Sequence, residues 1–145
     1  MKIAVRYQSR GGNTKGMAEI IAKAAGVTAE PVSTPITDKV DLLFVGGAVY
    51  MWRIDSQLQY FLEKLDKQKA GCVAAFSTTG LMPFAIWKIK RYAKKAGIAV
   101  CPKALCLKIM MQGHSMLGRE GGHFEKAQEA KIEKFASETI KNLRK

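Results

Sequence analysis

The chain has 145 residues, 48% of them hydrophobic, which is enough for one buried core and short for two. Its 24 Lys and Arg against 12 Asp and Glu give a formal net charge of +12, which favours anionic partners and leaves the fold open. No run approaches the roughly 18 to 20 apolar residues of a bilayer span, and Lys2 leads straight into a patterned strand without the architecture of a secretory leader, so a single cytoplasmic domain over residues 1–145 is expected.

Ile3, Ala4 and Val5, followed by Tyr7, form a short apolar run that stops at a glycine-bearing turn, as a buried parallel strand does. Met17, Ile20, Ile21 and Ala24 then recur at the spacing of one helical face, and Gly26 stands where a helix end often takes a left-handed residue. Between Val27 and Lys39 the pattern weakens around Pro31 and Pro35, which allows a short edge strand near Ala29 to Val32. Leu42, Leu43, Phe44 and Val45, ended by Gly46 and Gly47, read as a third, central strand.

Ser56 and Gln59 offer a capping box for a second helix whose buried face is Leu58, Phe61, Leu62 and Leu65. Cys72 to Phe76 reads as a fourth strand. Pro83 is placed to start a basic helix running toward Ala96, with Gly97 behind it, and Ala104 to Ile109 supplies a fifth strand. After a glycine-rich stretch from Gly113 to Gly122, Ile132, Phe135, Ala136, Ile140 and Leu143 mark one face of a closing helix. Cys72, Cys101 and Cys106 are odd in number, form no CxxC pair and lie in apolar stretches, so buried thiols are expected rather than a disulfide framework or a zinc site.

Alternating strands and helices call for an α/β fold with an open parallel sheet of five strands and helices on both faces. Ligands of such sheets sit outside the carboxyl ends of the strands, so the loops there are the candidate site. The first loop reads Ser9-Arg10-Gly11-Gly12-Asn13-Thr14 immediately ahead of a helix. Backbone N–H groups and the helix N-terminus converge there on an anion, glycines admit close approach, and the Ser9 and Thr14 hydroxyls add donors. The loop lacks the Gly-Lys-Ser/Thr of a Walker motif and the three-glycine dinucleotide fingerprint, so a phosphate monoester is the better fit.

This loop resembles that of the flavodoxin family, Ser/Thr-x-Thr-Gly-x-Thr directly after the first strand. Ser9, Gly12 and Thr14 match, whereas Gly11 stands where the family usually has a hydroxyl residue, which removes one donor. The resemblance covers nearly the whole chain and implies the flavodoxin-like strand order 2-1-3-4-5 and FMN as a noncovalent cofactor. It also implies that the loops after the third and fourth strands clasp the isoalloxazine ring. Here these carry Ala48, Val49, Tyr50, Met51 and Trp52, and Ser77, Thr78, Thr79 and Gly80. Tyr50, Met51 and Trp52 offer flat or polarizable surface to a ring. Tyr50 and Trp52 serve equally well, on sequence alone, to cover the sheet end.

By this resemblance the protein passes electrons between a reductase and an acceptor, docking redox partners through their acidic surfaces. Cations at Arg10, Lys15 and Arg53 would stabilise the anionic reduced flavin, which implies a less reducing couple than in an acidic flavodoxin. Two alternatives stand beside this reading. One is a flavin oxidoreductase of the protoporphyrinogen oxidase and quinone type, whose basic surface suits an anionic substrate or membrane surface. Lys88, Lys90, Arg91, Lys94 and Lys95, with Trp87 and Tyr92 interleaved, suit such docking or form a solvated face whose aromatics cover the core. The other is a flavin-free anion-binding module, although no nucleic-acid-binding signature accompanies the lysines and no specific nucleic-acid binding is expected. His114 and His123 are either proton relays or solvated loop residues. No side chain is assigned a catalytic role or a metal.

Overall fold

The computed structural model describes residues 1–9, 12–50, 53–79, 83–108 and 124–144. In chain order the elements are β1 (Ile3–Tyr7), α1 (Asn13–Ala25), β2 (Ala29–Pro31), β3 (Val40–Gly47), β4 (Val49–Tyr50) and β5 (Arg53–Ile54). They continue with α2 (Ser56–Glu63), β6 (Ala70–Thr79), α3 (Phe84–Lys95), β7 (Ala99–Val100), β8 (Leu105–Lys108) and α4 (Lys126–Arg144).

The main sheet is parallel and runs β2-β1-β3-β6-β7, with β8 also paired to β6. The expected 2-1-3-4-5 order is therefore observed, its fifth position filled by two short strands. Val73 pairs with Val100 and Phe76 with Leu105, so five steps along the edge (100 to 105) oppose three along β6 (73 to 76). The surplus falls at Cys101 to Ala104, where Pro102 has no N–H to give to a ladder. The separate β4–β5 pair is antiparallel, Val49 opposite Ile54 and Tyr50 opposite Arg53.

Alternation along each strand sorts the core into two layers. Val5, Leu42, Phe44, Ala74 and Phe76 face α1 and α4, whereas Ala4, Leu43, Val45, Val73 and Ala75 face α2 and α3. Phe44 meets Phe135 of α4 edge-on, ring centroids 5.8 Å apart. Because both faces of β3 are covered, its residues from Leu42 to Gly47 are all buried, which is why its sequence reads as an unbroken apolar run.

Several expectations shift in detail. The buried face of α1 is Met17, Ala18, Ile21 and Ala22, while Ala24 is exposed, because the small alanines pack the helix closely against its neighbours. α2 is capped by Asp55 rather than by a Ser56–Gln59 box: the Asp55 carboxylate accepts from Gln57 N at 2.8 Å, and Ser56 is already helical. β6 extends to Thr79, so Ser77, Thr78 and Thr79 belong to the strand and not to a loop. Gly46 and Gly47 likewise lie within β3. On α3, Tyr92 packs against the core, but Trp87 is 50% exposed and rests edge-on against Phe84. Gly26 and Gly97 end α1 and α3 at φ of 76° and 80°, as their sequence positions indicated. Cys72 and Cys101 are buried, unbridged thiols, and Cys106 is half-buried. No described helix is long and apolar enough to cross a membrane.

Candidate functional site

The carboxyl ends of three neighbouring strands define the site. Tyr7 at the end of β1 pairs with Gly46, and Gly47 at the end of β3 pairs with Ser77 of β6. The segments that leave these positions are thereby gathered at one edge of the sheet. This is the edge at which ligands of open parallel sheets bind.

After β1, Gln8 N donates to Gly46 O at 3.0 Å, and Ser9 Oγ accepts from Gly12 N at 2.9 Å, closing the turn on itself. That bond uses the Ser9 oxygen as an acceptor and leaves its O–H able to donate outward. Gly12 has φ of 90° and ψ of −12°, a left-handed conformation that only glycine adopts without strain. α1 begins at the next residue, and Gly16 N closes its first turn onto Gly12 O at 2.9 Å. Gly12, the N-cap, has no side chain to cap the helix, and no acidic residue lies in the first turn. The positive end of the helix dipole at the start of α1 suits an external anion.

Thr14 is 2% exposed, and its Oγ1 lies 2.9 Å from Thr78 Oγ1, both hydroxyls buried. The pair ties the start of α1 to the end of β6. The Thr14 hydroxyl, expected from sequence as a phosphate donor, lies against Thr78, and a hydroxyl that accepts from one partner still has its O–H to donate to another. Ser77 is fully buried, and its Oγ donates to Gly47 O at 2.6 Å. Gly46 and Gly47 leave no room for side chains, since a Cβ on Gly46 would collide with the Phe76 ring and one on Gly47 with Leu58. Ala48 is half-buried and leads into the β4–β5 pair that contains Val49 and Tyr50.

Of the residues singled out in sequence, Ser9, Gly12, Asn13, Thr14, Ala48, Val49, Tyr50, Ser77, Thr78 and Thr79 are thus brought to one edge. Arg10, Gly11, Met51, Trp52, Gly80, His114 and His123 lie outside the described residues. Sequence reading missed Arg6, which is 7% exposed on β1. Its guanidinium donates to Thr34 O at 3.0 Å, Val5 O at 3.2 Å and Pro35 O at 3.3 Å and pairs with Glu30 at 3.4 Å. Burial lowers its pKa, and the Glu30 charge opposes that shift. Only its place in an otherwise apolar strand signalled it.

A cavity of about 520 Å³ lies away from this edge loop, between α2 and residues 32 to 36, with Val32, Ile36, Phe61 and Leu65 in its walls. It touches neither Ser9 nor Thr14 nor Thr78. The helix dipole, the glycine turn and the hydroxyls make the strand-end site the better candidate for an anionic cofactor.

Comparison with known proteins agrees with this fold. Residues 4–101 match the model of the flavodoxin domain family. Among solved structures, a flavodoxin from the domain Archaea superposes with a TM-score of 0.77 at 16% identity, covering 100% of both chains. Oxidised flavodoxin 2 from Bacillus cereus gives 0.74 at 17% identity, over 98% of this chain and 99% of that one. The Flv1 flavodiiron core from Synechocystis gives 0.74 at 18% identity, over 98% of this chain but 36% of its own. No curated protein matches the chain in sequence.

Proposed function

The chain belongs to the flavodoxin domain family, a family of flavin-binding redox proteins, and on that premise we propose that it carries FMN and passes electrons between a reductase and an acceptor. The observation that carries this reading is the left-handed Gly12, its N–H held by Ser9 Oγ, immediately ahead of the positive end of α1. Such an end holds a dianionic phosphate ester through backbone donors and the helix dipole. The lost hydroxyl at Gly11 is tolerable because most of the donor set is backbone. The residues present therefore fit the phosphate of FMN.

In this assignment Ser9, Arg10, Gly11, Gly12, Asn13 and Thr14 form the phosphate loop. Ala48 to Trp52 and Ser77 to Gly80 flank the ring, the whole chain acting as one domain. The bound flavin supplies the redox chemistry, and the protein's residues position it and set its electrostatic surroundings. With a net charge of +12 and no acidic residue in the first turn of α1, negative charge on the reduced cofactor is favoured. The couple is expected to be less reducing than in acidic members of the family. Lys88, Arg91, Lys94 and Lys95 are exposed along α3 and suit a redox partner with an acidic docking surface.

The test is an FMN titration followed by desalting and a visible spectrum. Stoichiometric retention in the native chain, lost in G12A, supports the reading. A chain that retains no FMN overturns it in favour of a flavin-free anion-binding module.

The half-exposed Trp87 on the basic face of α3 favours a second reading, an FMN-dependent oxidoreductase working at an anionic membrane surface. Turnover of a porphyrinogen with a quinone, together with sedimentation on anionic liposomes that W87A abolishes, would support it over simple electron carriage.

A further inference from the structure

Far from the strand-end site, the sheet edge holds a pair of sulfurs. Cys72 Sγ and Cys101 Sγ lie 2.9 Å apart, 6% and 8% exposed, on the face covered by α1 and α4. They sit where the fifth strand position breaks: Cys101 N still donates to Val73 O at 2.9 Å, and Pro102 follows at once. Both line a cavity of about 240 Å³ whose other walls include Lys103, Thr139, Asn142 and Leu143. Closing the sulfurs to the roughly 2.05 Å of a disulfide requires a movement of under about 1 Å. The broken edge, which is not held by a continuous ladder, can supply it.

From this arrangement we infer that Cys72 and Cys101 form a dithiol site that exchanges with small disulfide compounds entering through the cavity. The Cys72 thiolate attacks one sulfur of the small disulfide, whose S–S bond breaks to release one thiol and leave a mixed disulfide on Cys72. With Cys72 tied up in that disulfide and no longer holding the Cys101 proton, Cys101 gives up its proton as it attacks the Cys72 sulfur and expels the second thiol. Two electrons pass from the cysteine pair to the small disulfide. The two cysteine protons end on the two released thiols, and a Cys72–Cys101 bridge remains.

The surroundings favour the first of these attacks, by Cys72. Lys103, which lines the cavity and pairs with Glu138 at 3.2 Å, and Lys90, which donates to Pro102 O at 3.4 Å, bring positive charge near the pair. The hydrogen bond from Cys101 lowers the pKa of Cys72, while the same bond and burial raise that of Cys101, so the pair loses one proton readily and keeps the other. The site is independent of the flavin reading. Cys72 precedes Thr78 by six positions on β6, roughly 20 Å along the strand and toward the opposite end of the sheet.

The test uses the intact chain, reduced, freed of reductant and incubated without oxygen in excess oxidised glutathione. Acid quenching, denaturation, alkylation and peptide mass spectrometry follow. The expected result is loss of two of the three alkylatable thiols, with a Cys72 peptide joined to a Cys101 peptide and reversal by dithiothreitol. C106S should form the same bridge, and C101S should instead accumulate a glutathione adduct on Cys72. Retention of all three thiols, a bridge that includes Cys106, or adducts on Cys106 alone overturns the inference, and C106S reads the outcome even if the other variants fail to fold.

Discussion

Thr14 and Thr78 stand 64 positions apart in sequence, yet their hydroxyl oxygens are 2.9 Å from each other, buried between the first turn of α1 and the last residues of β6. The bond joins the proposed phosphate loop to the segment proposed to flank the flavin ring. It gives the two halves of the site a common anchor. T78V would leave the Thr14 hydroxyl buried without its partner, at a cost of about 1–3 kcal/mol in stability. FMN affinity should fall about tenfold, and T14V/T78V should recover part of the stability because both polar groups leave together. Chemical denaturation and fluorescence titration of the three variants check this.

Gly12 and Gly46 should fail differently when replaced by alanine. G12A puts a side chain at φ of 90° and costs about 1–2 kcal/mol, with a loss of FMN retention larger than that stability change accounts for. G46A drives a methyl into the Phe76 ring and should destabilise by about 3 kcal/mol or more. G46A combined with F76L should regain stability, as measured by the urea midpoint.

Arg6 holds the connection between β2 and β3 over the sheet through the carbonyls of Thr34 and Pro35. R6M should cost about 2–4 kcal/mol by leaving those acceptors unpaired, with Glu30 free to reach solvent. Hydrogen exchange should rise first in residues 32 to 39.

The thiol pair makes stability depend on pH in a biphasic way. Cys72 ionises more readily folded than unfolded, so the unfolded chain binds more protons just below the unfolded thiol pKa of about 8.5, and stability rises with pH there. Above about 8.5 the folded chain retains the Cys101 proton that the unfolded chain has lost, and stability falls. Among the described residues the charged groups near the pair are Lys90 and Lys103, the latter paired with Glu138, so C72S/C101S should remove both limbs without altering those charges. Urea midpoints across neutral to alkaline pH, compared between the native chain and that double variant, give the measurement.

The features legible in sequence are those whose cause is local or periodic. β3 shows as a run from Leu42 to Val45 because both its faces are buried, and Gly26 and Gly97 mark helix ends because a left-handed residue is needed there. The proposed phosphate loop is legible for the same reason: Ser9, Gly12 and the start of α1 are contiguous, so turn, dipole and donors all arise from one short stretch. Where two neighbours offer the same chemistry, as Asp55 and Ser56 do for the cap of α2, composition gives no decision. The extended backbone at Asp55, with ψ of 143°, makes it the cap.

By itself, then, the sequence determined the alternation of strands and helices, the two helical layers and one contiguous stretch suited to an anion, because hydrophobic period and helix-end chemistry act over a few residues; the strand order came only with the family resemblance. Tertiary structure alone decided that Thr14 meets Thr78, that Cys72 meets Cys101, that Arg6 turns inward to hold residues 34 and 35, and that the fifth strand breaks at Pro102. Each of these contacts joins residues 28 or more positions apart, or depends on the register between strands. Register is set by how whole faces pack, and no local pattern along one strand encodes its partner.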